Sequence, residues 1–90
     1  MRIGTVVGNV WATRKEDGLT GLKFLFVQLE DTKGVPVDVP LIAADRIGAG
    51  IGDTVMVTLG SAARFVISEK DVPIDAVVIG IVDSIDVESR

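Results

Sequence analysis

Residues 47–64 read Ile-Gly-Ala-Gly-Ile-Gly-Asp-Thr-Val-Met-Val-Thr-Leu-Gly-Ser-Ala-Ala-Arg. Gly48, Gly50 and Gly52 stand at alternate positions and supply backbone free to take φ > 0 or to lie against other backbone. Asp53 ends this loop. Val55, Val57 and Leu59 then alternate with Thr54, Met56 and Thr58, which predicts a strand. Gly60 breaks the strand, and Ser61 reads as the cap of one turn running through Ala62, Ala63 and Arg64. The glycines do not make a phosphate cradle. A dinucleotide fingerprint needs glycines at positions one, three and six between a strand and a helix, but the sixth position here is Asp53 and a strand follows. A carboxylate there repels a pyrophosphate, and no Gly-Lys-Ser/Thr completes a P-loop. Two readings remain for the loop: a tight connection between strands, or a surface that meets copies of itself.

Ninety residues make a single domain, residues 1–90. A chain of this size buries only about 60–65% of its unfolded surface, so a lone copy is marginal. Yet 48% of its residues are hydrophobic, and the mean hydropathy is +0.48. No run approaches the roughly 20 apolar residues of a spanning helix. The N-terminus leads directly into strand-like sequence, so no signal peptide is expected. Subunit interfaces are the remaining sink for the apolar excess.

The chain has no cysteine and no histidine. Disulfides, thiolate ligands and cysteine nucleophiles are thereby excluded, along with histidine-dependent triads and most zinc sites. A net charge of −4 argues against a nucleic-acid backbone as partner, since such binding rests on a cationic face. Lack of cysteine suits the cytoplasm. No metal or cofactor is expected.

Five strands are predicted. Strand one spans Arg2 to Thr13, interrupted by Gly4 and Gly8, where a bulge, bend or close backbone approach is expected. Trp11 reads as a core or interface filler. Residues 14–21 form a polar, solvated turn. Strand two spans Leu22 to Glu30, with Phe24, Phe26 and Gln28 on one face and Leu25, Val27 and Leu29 on the other. Both faces are largely apolar, so one is expected in the core and the other under a neighbouring subunit. After the hairpin turn Asp31-Thr32-Lys33-Gly34, strand three is predicted over Val35 to Ala44, an edge or bulged segment because of Pro36 and Pro40. Strand four is Thr54 to Leu59. A short apolar piece (65–67) and a polar one (68–73) precede strand five, predicted over Ile74 to Val87 with a bend at Gly80. Five strands with interior glycines in so short a chain point to an all-β fold, a small OB-like Greek-key barrel with one short helical turn. An open sheet of five strands leaves exposed edges.

The chain resembles the pentameric vertex proteins of bacterial microcompartments, of the ethanolamine-utilisation and carboxysome type. The resemblance lies in residues 3–13 (IGTVVGNVWAT), 19–24 (LTGLKF), 48–53 (GAGIGD), 60–64 (GSAAR) and 74–83 (IDAVVIGIVD), and covers nearly the whole chain. It implies a cyclic homopentamer that caps the five-fold vertices of a polyhedral shell in the cytoplasm, beside hexameric and trimeric tiles of another fold, and that catalyses nothing. As hypotheses, Gly48, Ala49, Gly50, Ile51, Gly52 and Asp53 lie at the five-fold axis, and Gly60, Ser61, Ala62, Ala63 and Arg64 at the contact with a tile. The local alternative for the second stretch is a capped turn with Arg64 paired to a nearby carboxylate.

Two other functions are weighed against this. An OB module binding nucleic acid or a small ligand is the first. Nucleic-acid binding needs a basic groove with stacking aromatics, whereas the aromatics here are Trp11, Phe24, Phe26 and Phe65 in an acidic chain. An enzyme is the second. The candidate acids Asp38, Asp45, Asp53, Asp75, Asp83 and Asp86 form no recognisable pair. Asp75 and Asp83 share a face on a regular strand but stand roughly 27 Å apart at strand rise.

Overall fold

Five strands make up the computed structural model, which describes residues 1–12, 19, 21–63 and 74–88. They are β1 (Arg2–Val10), β2 (Lys23–Glu30), β3 (Leu41–Asp45), β4 (Thr54–Leu59) and β5 (Ala76–Ile81). They close in the order β1-β2-β3-β5-β4, and β4 pairs back onto β1. Every pairing is antiparallel except the short parallel contact of β3 with β5 at Ala44–Val77 and Asp45–Val78. This is the Greek-key barrel of OB type that the glycine-punctuated strands predict.

The lumen is filled by alternate residues. Val6, Leu25, Val27, Leu29, Ala43, Val55, Val57, Ala76 and Val78 are buried there, and Ala49 joins them from the glycine loop. No aromatic side chain belongs to this set, which fits the narrow bore of five strands. The barrel is drawn tight at Gly4. A Cβ on Gly4 would lie 2.5 Å from the Gln28 carbonyl oxygen and 2.7 Å from Val27 Cγ1. Close backbone approach is therefore the reason for that glycine. Gly8 follows the bulge, because the β1–β2 register shifts between Val6 and Gly8 and leaves Val7 as the extra residue.

A second, smaller core lies outside the barrel. Ala44, Ala63, Ile74 and Val77 are buried together, with Leu19, Leu22, Phe24 and Ile79 packed against them. It resolves the apolar character of both faces of β5: Ala76 and Val78 point into the lumen, and Val77 and Ile79 into this outer cluster. The outward face of β2 is divided. Phe24 is partly buried against this outer cluster, while Phe26 is 38% exposed.

Four expectations are corrected. Strand three begins at Leu41, not Val35; residues 35–40 make only an isolated bridge, Glu30 with Pro36. Two prolines within six residues remove the donors a ladder needs. The crossing is instead held by Gln28, whose Nε2 donates to the carbonyls of Leu29, Val37 and Asp38 at 3.0, 3.1 and 3.0 Å. Strand five ends at Ile81, not Val87. Val82 N still donates to Thr54 O at 2.8 Å, but residues 83–88, rich in Asp and Ser, lie exposed beyond the ladder. Trp11 is 87% exposed in a single copy, so of the two places expected for it, core or interface, the core is excluded. Strand one likewise ends at Val10, short of the predicted Thr13, which is outside the described residues.

Candidate assembly site: the glycine loop and the turn at Gly60

The loop after β3 is built by the aspartate that ends that strand. Asp45 is buried, and its carboxylate accepts from three successive backbone N–H groups. Ile47 donates to Oδ1 at 2.9 Å, Gly48 to both oxygens at 3.2 Å, and Ala49 to Oδ2 at 2.8 Å. Asp53 takes the next one, Gly50 N to Oδ2 at 2.8 Å. Short aspartate side chains fold neighbouring backbone onto themselves in this way. Gly48 (φ 102°) and Gly52 (φ 95°) occupy the left-handed region and have no nearby obstruction, so conformation selects glycine at both. Gly50 shows no such φ, and a Cβ there would make only an ordinary 3.9 Å contact with Asp53.

The folded loop is then tied down. Gly52 N donates to Val6 O and Val6 N to Asp53 O, both at 2.9 Å, which extends the β1 edge into the loop. Ala49 plugs the barrel, and Lys23 Nζ donates to the Ala49 carbonyl at 2.8 Å. Lys23 also stands 3.7 Å from Asp45 Oδ2, next to a carboxylate with no exposed surface. The buried charge thus has both hydrogen bonds and a counter-ion, the condition for holding a carboxylate inside a protein. Ile51, at the tip, is 65% exposed. The Asp45 carboxylate is taken up by backbone donors and Lys23, and Asp53 Oδ2 by Gly50 N, so both acids serve the fold of the loop itself.

The second candidate stretch is partly described. Gly60 (φ 65°) accepts from Ala63 N at 3.1 Å and donates to Asp75 O at 2.8 Å, which locks the turn to the start of β5. Ser61 lies inside the helical turn of residues 61–63, so Gly60 takes the cap position predicted for Ser61. Ala63 is buried in the outer core, whereas Gly60, Ser61 and Ala62 are exposed. Arg64, residues 65–73 and most of the 14–21 turn lie outside the described residues. The two stretches are thus separate: one closes a barrel end, the other packs on the barrel's flank.

Sequence reasoning weighed Asp45 only as a candidate acid and missed its role in folding the loop. The signal was present, an aspartate at a strand end followed within three residues by glycine, which is Asx-turn chemistry.

The chain is thus a closed OB-type barrel whose most elaborate loop serves its own backbone. Comparisons with known proteins name the kind. Residues 1–83 match the family described as ethanolamine utilisation protein EutN/carboxysome. The carboxysome shell vertex protein CcmL of Gloeobacter violaceus is 46% identical over 90 residues, covering 100% of this chain and 90% of that protein. Its solved structure matches with a TM-score of 0.90, covering 100% of this chain and 93% of that one. The microcompartment shell vertex protein EutN of Escherichia coli is 38% identical over 85 residues, 94% of this chain and 90% of the relative. The pentameric microcompartment shell protein GrpN of Rhodospirillum rubrum has a TM-score of 0.87 at 37% identity, covering 99% of this chain and 100% of that one. The chain belongs to the EutN/CcmL family of microcompartment shell vertex proteins.

Proposed function

We propose that this chain is the vertex subunit of a bacterial microcompartment shell. Five copies form a ring, the ring closes a five-fold vertex of a shell in the cytoplasm, and its role is structural rather than catalytic. The observation that carries this reading is full-length similarity to named vertex proteins, joined to a pentameric relative of the same fold. An apolar surface large for a chain of 90 residues supports it, since a ring interface covers what one copy exposes. The nucleic-acid or small-ligand reading of the OB barrel gains nothing from these relatives. Native mass spectrometry of the purified chain tests the proposal. Five times 9.5 kDa is expected, and a monomer would overturn the vertex role.

Within this reading, the Gly48–Asp53 loop borders the five-fold axis, where five copies of Ile51 come closest. The Gly60–Arg64 turn meets the hexameric or trimeric tiles, with small exposed residues permitting close approach and Arg64 donating to tile acceptors. Co-expression with tile proteins separates the roles. Arg64→Ala is expected to leave the pentamer intact and leave shells open at their vertices; loss of the pentamer would instead make Arg64 a structural residue of the barrel.

A further inference from the structure

Ile3 on β1 and Met56 on β4 are register partners, and together they line a groove of about 590 Å³. Val37 and Ile85 complete its apolar wall. That volume lies within the roughly 300–1,000 Å³ of small-molecule sites. Both methionines of the chain, Met1 and Met56, belong to the lining. Thioether side chains are unbranched and adaptable, so such a wall accepts apolar bodies of more than one shape.

The groove also holds charges of both signs that the fold leaves partly unused. Ile3 pairs with Glu30, and Arg2 and Asp31 stand next to that pair, one on each segment. Arg2 is half-buried, and its guanidinium makes no hydrogen bond or ion pair among the described residues. Five N–H donors are therefore open to an acceptor. Asp31 is held in place by its own turn. Its Oδ1 accepts from Lys33 N at 2.8 Å and from Val35 N at 3.0 Å, which leaves Oδ2 open. Glu30 shares the Thr5 hydroxyl between its two oxygens at 3.0 Å, a bond that does not cancel its charge. Arg2 thus lines the same groove as two carboxylates without pairing with either.

We infer that this groove binds a free apolar α-amino acid. The ligand carboxylate pairs with the Arg2 guanidinium, the ammonium with Asp31 Oδ2 and Glu30, and the side chain lies on Ile3, Met56 and Ile85. A purely anionic amphiphile would satisfy Arg2 but meet Glu30 and Asp31 as like charges. A purely cationic one would leave Arg2 without an acceptor. A zwitterion answers both signs at once. The site lies within one chain and does not depend on the ring proposed above.

An NMR titration of the isotope-labelled protein, in the assembly it forms in solution, tests this. The probes are leucine, isocaproate, which lacks the ammonium, and isoamylamine, which lacks the carboxylate. Leucine is expected to saturate, with shifts centred on Ile3, Met56 and Ile85. Each analogue is expected to bind about tenfold more weakly, the scale of a lost hydrogen bond to a charged group. Alanine, without the isobutyl body, is expected to bind at least about tenfold more weakly. Arg2→Gln is expected to reduce leucine to the affinity of isoamylamine. Asp31→Asn keeps the Oδ1 acceptor of the turn and is expected to reduce leucine towards isocaproate. No binding to the wild type would overturn the site, and a groove covered by a neighbouring copy gives that same result. Equal affinity for leucine and both analogues, or variants that bind leucine as the wild type does, would overturn it too. If a melt shows that Arg2→Gln does not fold, Ile85→Ser, in the exposed tail after β5, replaces it. That variant is expected to lose the preference for leucine over alanine, and an unchanged preference counts against the site. A monomeric wild type that still binds leucine would remove the ring and leave this site standing.

Discussion

Lys23 and Asp45 are register partners at the paired ends of β2 and β3, and the ammonium stands 3.7 Å from a carboxylate with no exposed surface. The same ammonium holds the Ala49 carbonyl at 2.8 Å. One lysine therefore ties the strand end, the buried acid and the loop that plugs the barrel into a single unit. The two partners are not equivalent. Asp45 serves three backbone donors, whereas the Lys23 side chain is 45% exposed and water replaces part of what it supplies. Asp45→Ala is expected to cost about 2–4 kcal/mol, because buried N–H groups lose their acceptor. Lys23→Met is expected to cost about 1 kcal/mol, the scale of a solvent-screened pair. Urea midpoints of the two variants check the ordering; equal losses would show that the ion pair, and not the N–H cage, organises the loop.

Gly4 is fixed by space rather than by conformation. A methyl group there would overlap the Gln28 carbonyl oxygen, a backbone atom that cannot swing aside. Gly4→Ala is expected to destabilise the fold by about 2–3 kcal/mol, the upper range for overpacking. A thermal melt reads this directly, and an unchanged midpoint would mean that β1 and β2 can part without loss.

The glycines of the loop separate conformation from assembly. Gly48→Ala meets no obstruction but forces a side chain onto φ 102°, and about 1–2 kcal/mol of stability is expected to be lost. Gly50→Ala carries no such strain and is expected to change stability by less than about 0.5 kcal/mol. Gly50 is therefore the clean probe of the five-fold axis. Gly50→Leu is expected to leave the monomer's melt unchanged and to weaken the pentamer; pentamers as stable as wild type to dilution would remove the loop from the axis.

Gln28 shares the outward face of β2 with Phe24 and Phe26, a face the sequence assigns to the core or to a neighbouring subunit. Its amide instead fastens the two-proline crossing by donating to Val37 and Asp38. Gln28→Leu is expected to cost about 1–2 kcal/mol, for the carbonyls left without a donor. Hydrogen exchange is expected to rise locally between residues 35 and 41, and a uniform rise across the barrel would contradict the local role.

Much of this fold is legible from alternation. Leu25, Val27 and Leu29 lie in the lumen as the two-residue period demands, and Val55 and Val57 do the same on β4. Alternation misled at Val35, Val37 and Val39, where the period is present but Pro36 and Pro40 withhold the ladder donors. On β5 alternation is silent, because a strand apolar on both faces does not reveal what covers each. Pattern alone could not separate a second small core, built from Ala63 and Ile74, from a neighbouring subunit. Trp11 shows the limit of residue type: tryptophan is usually buried, yet in a single copy this one stands almost fully open. Of the site, the glycines were visible and the organising Asp45 was not, since its partners are backbone groups that no side-chain pattern records.

The barrel closes through its last strand. β5 is inserted between β3 and β4, and its partners on β3 lie more than thirty residues earlier in the chain. A polypeptide still being synthesised has β1 to β4 but lacks the stave that joins β3 to β4, so the lumen of Val6, Leu25, Val55 and Val57 stays open to water. Long-range closure of this sort comes late in folding. A chain holding only β1 to β4 is an open sheet with unpaired edges, and β5 alone turns it into a sealed stave-barrel.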